Sequence, residues 1–143
     1  MIAYLDASVI LRRVLAEAGQ LREWAHIEHG VASDLARIEC LRTIDRMRLR
    51  LTLGDEDVAS RIESLNVIFD RIDLVEVSPQ ILARAGQPFP TTLGTLDAIH
   101  LASALLWQQS EKQALTFLTH DGELGCGARA MGMKVLGVEI RPA

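Results

Sequence analysis

Apolar and polar positions change period several times along this chain, and each change marks an element. Residues 2–5, IAYL, form an apolar run that stops at Asp6, which predicts a strand. Ser8 is then placed to cap a helix running to about residue 17 and closed by Gly19. A short helix is expected over 20–29, and a brief strand at Val31 and Ala32. Behind Ser33, the residues Leu35, Ile38, Leu41, Ile44 and Met47 recur at helical spacing. They predict a helix to about Leu53 that ends at Gly54. Asp55 caps the next helix, with Val58, Ile62, Leu65 and Ile68 on one face. Residues 72–77, IDLVEV, alternate with period two and read as a strand. Ser78 caps a helix with Pro79 in its first turn, where the missing N–H costs nothing. A loop over 89–94 leads to a helix capped by Thr95. Residues 115–119 predict a strand, 122–131 a helix and 134–138 the last strand.

Strands alternating with helices predict an α/β fold: three layers, α/β/α, around a mainly parallel sheet. With 143 residues and neither linker nor repeat, a single domain over 1–143 is expected. Aromatic residues make up only 4% of the chain, so Leu, Ile, Val and Ala must build the core. The formal charge of −4 does not suit a nucleic-acid binder. Phosphate contacts call for Lys and Arg, so such a function needs local basic patches or bound cations. No uncharged apolar run approaches about 18 residues, and the N-terminus lacks a basic stretch. Neither a membrane span nor a signal peptide is expected. Cys40 and Cys126 show no CxxC spacing and no Cys/His clustering. They argue against a zinc site and a disulfide framework, and for reduced thiols in a cytoplasmic protein.

The segment 92–106, TLGTLDAIHLASALL, raises a question of its own. Apolar residues lie at nearly every angle around it, as in a buried helix, yet Asp97 sits near its start. A buried, unpaired carboxylate is costly because the charge loses its water. In an open parallel sheet, ligands bind outside the carboxyl ends of the strands. Asp6 ends the first strand, Asp121 follows the strand that ends at Thr119, and Glu39 and Asp97 lie in early helical turns. Four carboxylates distant in sequence can therefore meet in one pocket. Singly, each has a bland explanation as a helix cap, a dipole partner or a surface acid. Together they would repel, and some would stay protonated. A divalent cation relieves that repulsion. Mg²⁺ suits such a site, being a hard ion that takes oxygen ligands and retains waters.

The segments YLDAS at 4–8, IE at 38–39, TLDAIHLASAL at 95–105 and LTHD at 118–121 resemble the PIN-domain ribonucleases, and most closely the VapC-type toxins of toxin–antitoxin pairs. The resemblance spans essentially the whole chain, and LDAIHLA is its most specific part. It implies an endoribonuclease dependent on Mg²⁺ or Mn²⁺, usually dimeric and inhibited by a small antitoxin. The family's acids correspond to Asp6, Glu39, Asp97 and Asp121 here, and its hydroxyl positions to Ser8 and Thr119. No acid of the set is missing. Asp6, Glu39 and Asp97 are expected to form the main metal shell, Asp121 to serve a second ion or orient a water. Ser8 and Thr119 are expected to hydrogen-bond the carboxylates.

Holding RNA on an acidic protein needs cations. Arg37, Arg42, Arg46, Arg48 and Arg50 crowd one predicted helix, and Arg12 and Arg13 follow the first acid. Arg12, Arg13, Arg37 and Arg42 are the candidate RNA contacts, against the alternative of a solvated helix face. His100 and His120 read as structural, with His120 the one able to reach substrate. The GELGCG stretch at 122–127 lacks the Lys-Ser/Thr of a phosphate-binding loop and carries no such role. Leu49, Leu51, Leu53, Val67 and Phe69 look surplus to one apolar stripe and suggest a homodimer interface. Three rival readings remain. One is a receiver-like Mg²⁺-binding signalling domain, disfavoured because IDLVEV ends in Ser78-Pro79 rather than an acid. Another is an aspartate-nucleophile phosphatase, disfavoured by Ser8 two places after Asp6. The third is an inactive PIN-like binding module.

Overall fold

The computed structural model describes residues 1–140. Five strands form one sheet: β1 Ile2–Leu5, β2 His29–Ser33, β3 Asp73–Val75, β4 Thr116–Leu118 and β5 Lys134–Leu136. Their order is β3-β2-β1-β4-β5. Every pairing is parallel, with Ala3 opposite both Gly30 and Thr116. Six α-helices connect them: α1 Ala7–Val14, α2 Asp34–Leu49, α3 Asp55–Phe69, α4 Pro79–Ala85, α5 Thr95–Glu111 and α6 Gly122–Ala130. The expected three-layer α/β/α architecture is the one observed.

Side chains alternate across β1, and the layers follow from that alternation. Ala3 and Leu5 face a core shared with Val9, Ile10, Cys40, Ile44 and Leu65, from α1, α2 and α3. Tyr4 faces the opposite core with Leu101, Ala104, Phe117 and Leu124, from β4, α5 and α6. The order places β1 at the centre, with the carboxyl ends of β2 and β4 on either side. IDLVEV supplies β3, which is an edge strand. A receiver-like reading, which needs its acid on a central strand, finds no support there.

Several boundaries differ from the sequence expectation. Asp6, not Ser8, is the N-cap residue of α1, because Ser8 spends its oxygen on other contacts. That helix stops at Val14 rather than 17, as Ala16 turns to φ +53°. The segment 20–29 yields only a 3-10 turn, Arg22–His26, before β2. The chain leaves α2 at Leu49, short of Leu53, where Leu51 adopts φ +58°. Gly54 and Gly94, rather than Asp55 and Thr95, precede α3 and α5. The strands β3 and β5 are shorter than 72–77 and 134–138. Ser33 and Ser78 do cap as expected, accepting from Leu35 N at 3.1 Å and Ile81 N at 3.2 Å. Cys40 is buried and Cys126 exposed, and both are free thiols. Among the described residues, no helix is long and apolar enough to cross a membrane. Of the surplus apolar residues, Phe69 belongs to the core and Leu53 packs against it. Leu49, Val67 and Leu51, the last 91% exposed, do lie on the surface.

Gly137 closes the β5 end at φ +100°, and a Cβ there would lie 2.3 Å from the carbonyl oxygen of Thr119. Neither the dihedral nor the neighbouring backbone tolerates a side chain. We expect Gly137→Ala to lower stability by about 2–4 kcal/mol, through backbone strain plus displacement of the β4 end. Urea denaturation of the two proteins measures it, and a difference within experimental error would refute the close approach.

Candidate active site

Asp6 is the first residue beyond β1, and its N–H donates to the carbonyl of Leu118 at 3.0 Å. The sheet itself therefore fixes where this acid stands. Its side chain is nearly buried, only 5% of the residue being exposed. Asp6 Oδ2 accepts from Ser8 Oγ at 2.6 Å and from Thr119 Oγ1 at 2.9 Å. Both hydroxyls also work as acceptors. Ser8 Oγ takes the N–H of His120 at 2.9 Å, and Thr119 Oγ1 takes the N–H of Asp121 at 3.0 Å. Proton by proton, the turn after β4 is thus tied to the carboxylate after β1. Charge-assisted bonds of this kind offset the loss of hydration.

The other acids approach from separate elements. Asp121 caps α6, with Oδ1 accepting from Glu123 N at 2.9 Å and Leu124 N at 3.0 Å. Glu39 rises from the second turn of α2. Asp97 sits in the first turn of α5, at the mouth of the apolar helix. Asp6, Glu39, Asp97 and Asp121 line a single open cleft of about 480 Å³, with Ser8 on its wall. Burial and the negative charges of Asp121 and Asp6 push the Asp97 carboxyl up to about 6, with His100 pulling weakly the other way. A carboxylate crowded by its own kind is the electrostatic signature that sequence spacing pointed to.

The four acids and two hydroxyls expected from sequence are therefore brought together. The arginines divide. Arg42 lines the cleft, and Arg46, one turn on, joins it. Arg37 points away, donating to Asn66 Oδ1 at 3.1 Å and lying over the Phe69 ring. Arg13 donates to Gln20 at 3.2 Å and lies over Trp24. Arg12 donates to the Gly19 carbonyl at 3.3 Å and lines a neighbouring groove with His120. Helical phase explains the split: on α2, residues 42 and 46 share a face, and 37 does not.

Sequence reasoning gave His100 only a structural part, and the structure places it directly under the acids. It is fully buried, and its Nε2 bonds Glu39 Oε1 and stands 3.7 Å from Asp6 Oδ1. Its Nδ1 lies 2.9 Å from the hydroxyl of Tyr4, also fully buried. Despite burial, which favours the neutral ring, the bond to Glu39 and the charges of Asp6, Glu39 and Asp97 together raise its pKa. The available signal was spacing: Asp97 and His100 stand three apart, so they share a face of α5. His120 is different in kind. Its Nδ1 donates to the Gly137 carbonyl at 2.8 Å, and it lies outside the acidic cleft.

The donor set is chemically suited to a hard divalent cation. Every candidate ligand is a carboxylate oxygen, and burial together with the charges of Asp121 and Asp6 destabilises the Asp97 carboxyl as an anion. Among the described residues, no group of three or more acids, imidazoles or thiols is drawn together closely enough to hold a metal ion as it stands. A site of few direct carboxylates completed by water is what Mg²⁺ accepts, so the open arrangement fits that ion better than a soft or fully caged one.

Comparison with known proteins agrees with this geometry. The PIN domain family model matches residues 3–124, which include all four acids. Ribonuclease VapC46 of Mycobacterium tuberculosis (strain ATCC 25618 / H37Rv) is 32% identical over 136 residues, covering 93% of this chain and 95% of its own. Ribonuclease VapC47 of Mycobacterium tuberculosis (strain CDC 1551 / Oshkosh) is 28% identical over 131 residues, covering 90% and 91%. Among solved structures, a toxin–antitoxin complex from Klebsiella pneumoniae superimposes with a TM-score of 0.65 at 14% identity, covering 94% and 95%. VapBC2 from Rickettsia felis, bound to a DNA fragment from the promoter, gives 0.63 at 12% identity, covering 95% and 98%. The structural matches speak for the fold, and the sequence matches for the lineage. This chain belongs to the PIN-domain family, in its VapC-type branch.

Proposed function

We propose that this chain is a Mg²⁺- or Mn²⁺-dependent endoribonuclease, the toxin of a toxin–antitoxin pair, acting in the cytoplasm on RNA. One observation carries the reading: four carboxylates from four separate places in the sequence line one cleft at the carboxyl edge of the sheet. The ribonuclease names of the two mycobacterial relatives and the toxin–antitoxin structures support the reaction class and an antitoxin partner.

Asp6, Glu39 and Asp97 would hold the ion, with Asp121 serving a second ion or the attacking water. When bound, such a cation supplies an acidified water near neutral pH and stabilises charge on the scissile phosphate. The rest belongs to the chain. Ser8 and Thr119 keep the Asp6 carboxylate correctly turned by donating both hydroxyl protons to one oxygen. That leaves Oδ1 facing away from those donors. Capping of α6 holds Asp121 through the other end of the same network. Arg42 and Arg46 are the cations on the cleft wall, placed to pair with phosphates of a strand laid across it. No other cation in the cleft is needed to explain how an acidic protein holds RNA: two arginines and a bound ion act locally, whatever the net charge.

We expect Asp97→Asn to lower cleavage of a mixed RNA pool in Mg²⁺ by about 100-fold or more, with the fold intact. Wild-type protein in EDTA should be equally silent, and an inactive binding module would be silent in Mg²⁺ as well. Asp121→Asn is expected to lose less, since an Asn oxygen still caps α6. Raising Mn²⁺ should then recover part of that loss, because Mn²⁺ binds such oxygen sites more tightly than Mg²⁺. A loss at Asp121 as deep as at Asp97, unmoved by saturating Mn²⁺, would make Asp121 the proton acceptor instead.

Stability without metal should carry the same signature. The folded chain holds the Asp97 proton to about pH 6, whereas an ordinary Asp releases it near 3.8. Its favourable contribution is complete below the lower value and is lost as pH rises through the upper one. Urea denaturation in EDTA should therefore show stability falling from about pH 4 to pH 7. The Asp97 share is about 1 kcal/mol, since solvent screens this partly exposed group. Asp97→Asn should flatten that part of the slope, and parallel slopes in the two proteins would exclude carboxylate crowding at this position.

Leu49 at the end of α2, Leu51 in the turn beyond it and Val67 on α3 are apolar and exposed, which supports a homodimer. Sedimentation is expected to give a dimer at micromolar concentration. Leu51→Glu should shift it toward monomer, and a wild-type monomer under those conditions would remove the dimer from this proposal.

A further inference from the structure

The residues behind the acids form a second layer that the cleft chemistry leaves unassigned. Tyr4, on β1, and His100, on α5, are both fully buried. Tyr4 stacks on Phe117, ring centroids 4.9 Å apart, which fixes the direction of its hydroxyl. That hydroxyl lies 2.9 Å from His100 Nδ1. On the other side of the ring, Nε2 bonds Glu39 and faces Asp6 Oδ1 at 3.7 Å.

The direction of each bond follows from chemistry. An ionised carboxylate only accepts, so Nε2 carries a proton toward Glu39 whatever the charge of the ring. In the neutral ring Nδ1 then accepts from the Tyr4 hydroxyl. A chain of donors thus runs from the core to the cleft: Tyr4 O–H to Nδ1, then Nε2–H to Glu39. That single N–H stands between two acids, one from β1 and one from α2. Among the described residues no other side chain bonds the Glu39 carboxylate, and Arg42 and Thr43 lie three and four residues along its own helix.

We propose that His100 is a positioning residue whose Nε2–H, braced by Tyr4, holds the Glu39 carboxylate beside Asp6 so that both face one divalent cation. The inference rests on the reading of the cleft as a metal site, and it assigns cation affinity to two residues that touch neither the cation nor the RNA. Buried partners of metal-binding groups commonly control affinity in this way. A histidine serving only to fill the core would instead act on stability and leave the acids' cation affinity alone.

The test is Mn²⁺ affinity of the full chain, read as free Mn²⁺ by electron paramagnetic resonance, with no RNA present. His100→Leu should weaken binding by about 10- to 100-fold. His100→Gln, which retains an N–H donor, should recover most of that loss. Tyr4→Phe should weaken binding in the same direction by less. The decisive comparison is a double-mutant cycle with Glu39→Gln: if His100 works through Glu39, adding His100→Leu in that background should cost no more than about twofold. Additive losses, or His100→Leu with wild-type affinity, would overturn the inference while leaving the metal site standing. Should His100→Leu fail to fold by circular dichroism, Tyr4→Phe carries the test, and unchanged Mn²⁺ affinity in that variant overturns it. A wild-type chain that takes up no Mn²⁺ would overturn the metal reading, and this inference with it.

Discussion

A carboxylate sits almost out of water at the end of the central strand, and two hydroxyl protons make that tolerable. Removing a carboxylate from water costs several kcal/mol, and each hydrogen bond to a charged group returns about 1.5–3 kcal/mol. Ser8 and Thr119 both donate to Asp6 Oδ2, so the cost is offset within one residue's reach. The geometry exists only because β1 and β4 are neighbours in parallel. Leu118 then ends beside Asp6, and Thr119 arrives opposite Ser8. The turn carrying Asp121, the cap of α6, and the close approach at Gly137 that finishes β5 all hang on that adjacency.

The sequence revealed much of this because the relevant signals are local. Helical periods survive in α2 and α3, where one face is turned to the core. Capping serines at 33 and 78 announce themselves by residue type. The same local logic misplaced the start of α1. Ser8 has the right chemistry for a cap, but Asp6 beside it and the distant N–H of His120 claim its oxygen. Apolar Leu49 and Leu51 extended the apparent α2 pattern past its end, because exposed leucines read like core ones until the backbone turns at Leu51. Phe69 erred in the other direction, since it completes the core rather than a surface patch.

The acids and their two hydroxyl partners were legible as a set, but the buried histidine behind them and the choice among the arginines were not. Spacing alone cannot say which arginine on a helix faces a cleft; Arg42 does, and Arg37 is spent on Asn66 and Phe69. His100 was harder still. A histidine inside an apolar run is ordinarily a satisfied core residue, and this one is satisfied. What distinguishes it is the identity of its partners, Tyr4 from residue 4 and Glu39 from residue 39, brought together by three different elements. Tertiary contacts of that kind leave no periodic trace in a single chain.

The position of Asp97 now has a physical account. The helix α5 is apolar on most sides because it is covered on most sides: by the sheet through Leu101 and Ala104, and by its neighbours α4 and α6. Cover begins at Ala98, which is buried, one residue beyond Asp97. The acid therefore occupies the first turn that is not enclosed, where the helix dipole favours a negative charge and the cleft opens. Burial and the charges of Asp121 and Asp6 undo that favour and raise its pKa to about 6. Relocating the acid by one turn would bury it outright, and replacing it with an apolar residue would relieve the repulsion. The sequence does neither. It keeps a destabilising charge at the single place where the rigid helix, the sheet edge and three other acids meet, which is the arrangement expected when a group is retained for its chemistry at some cost to stability.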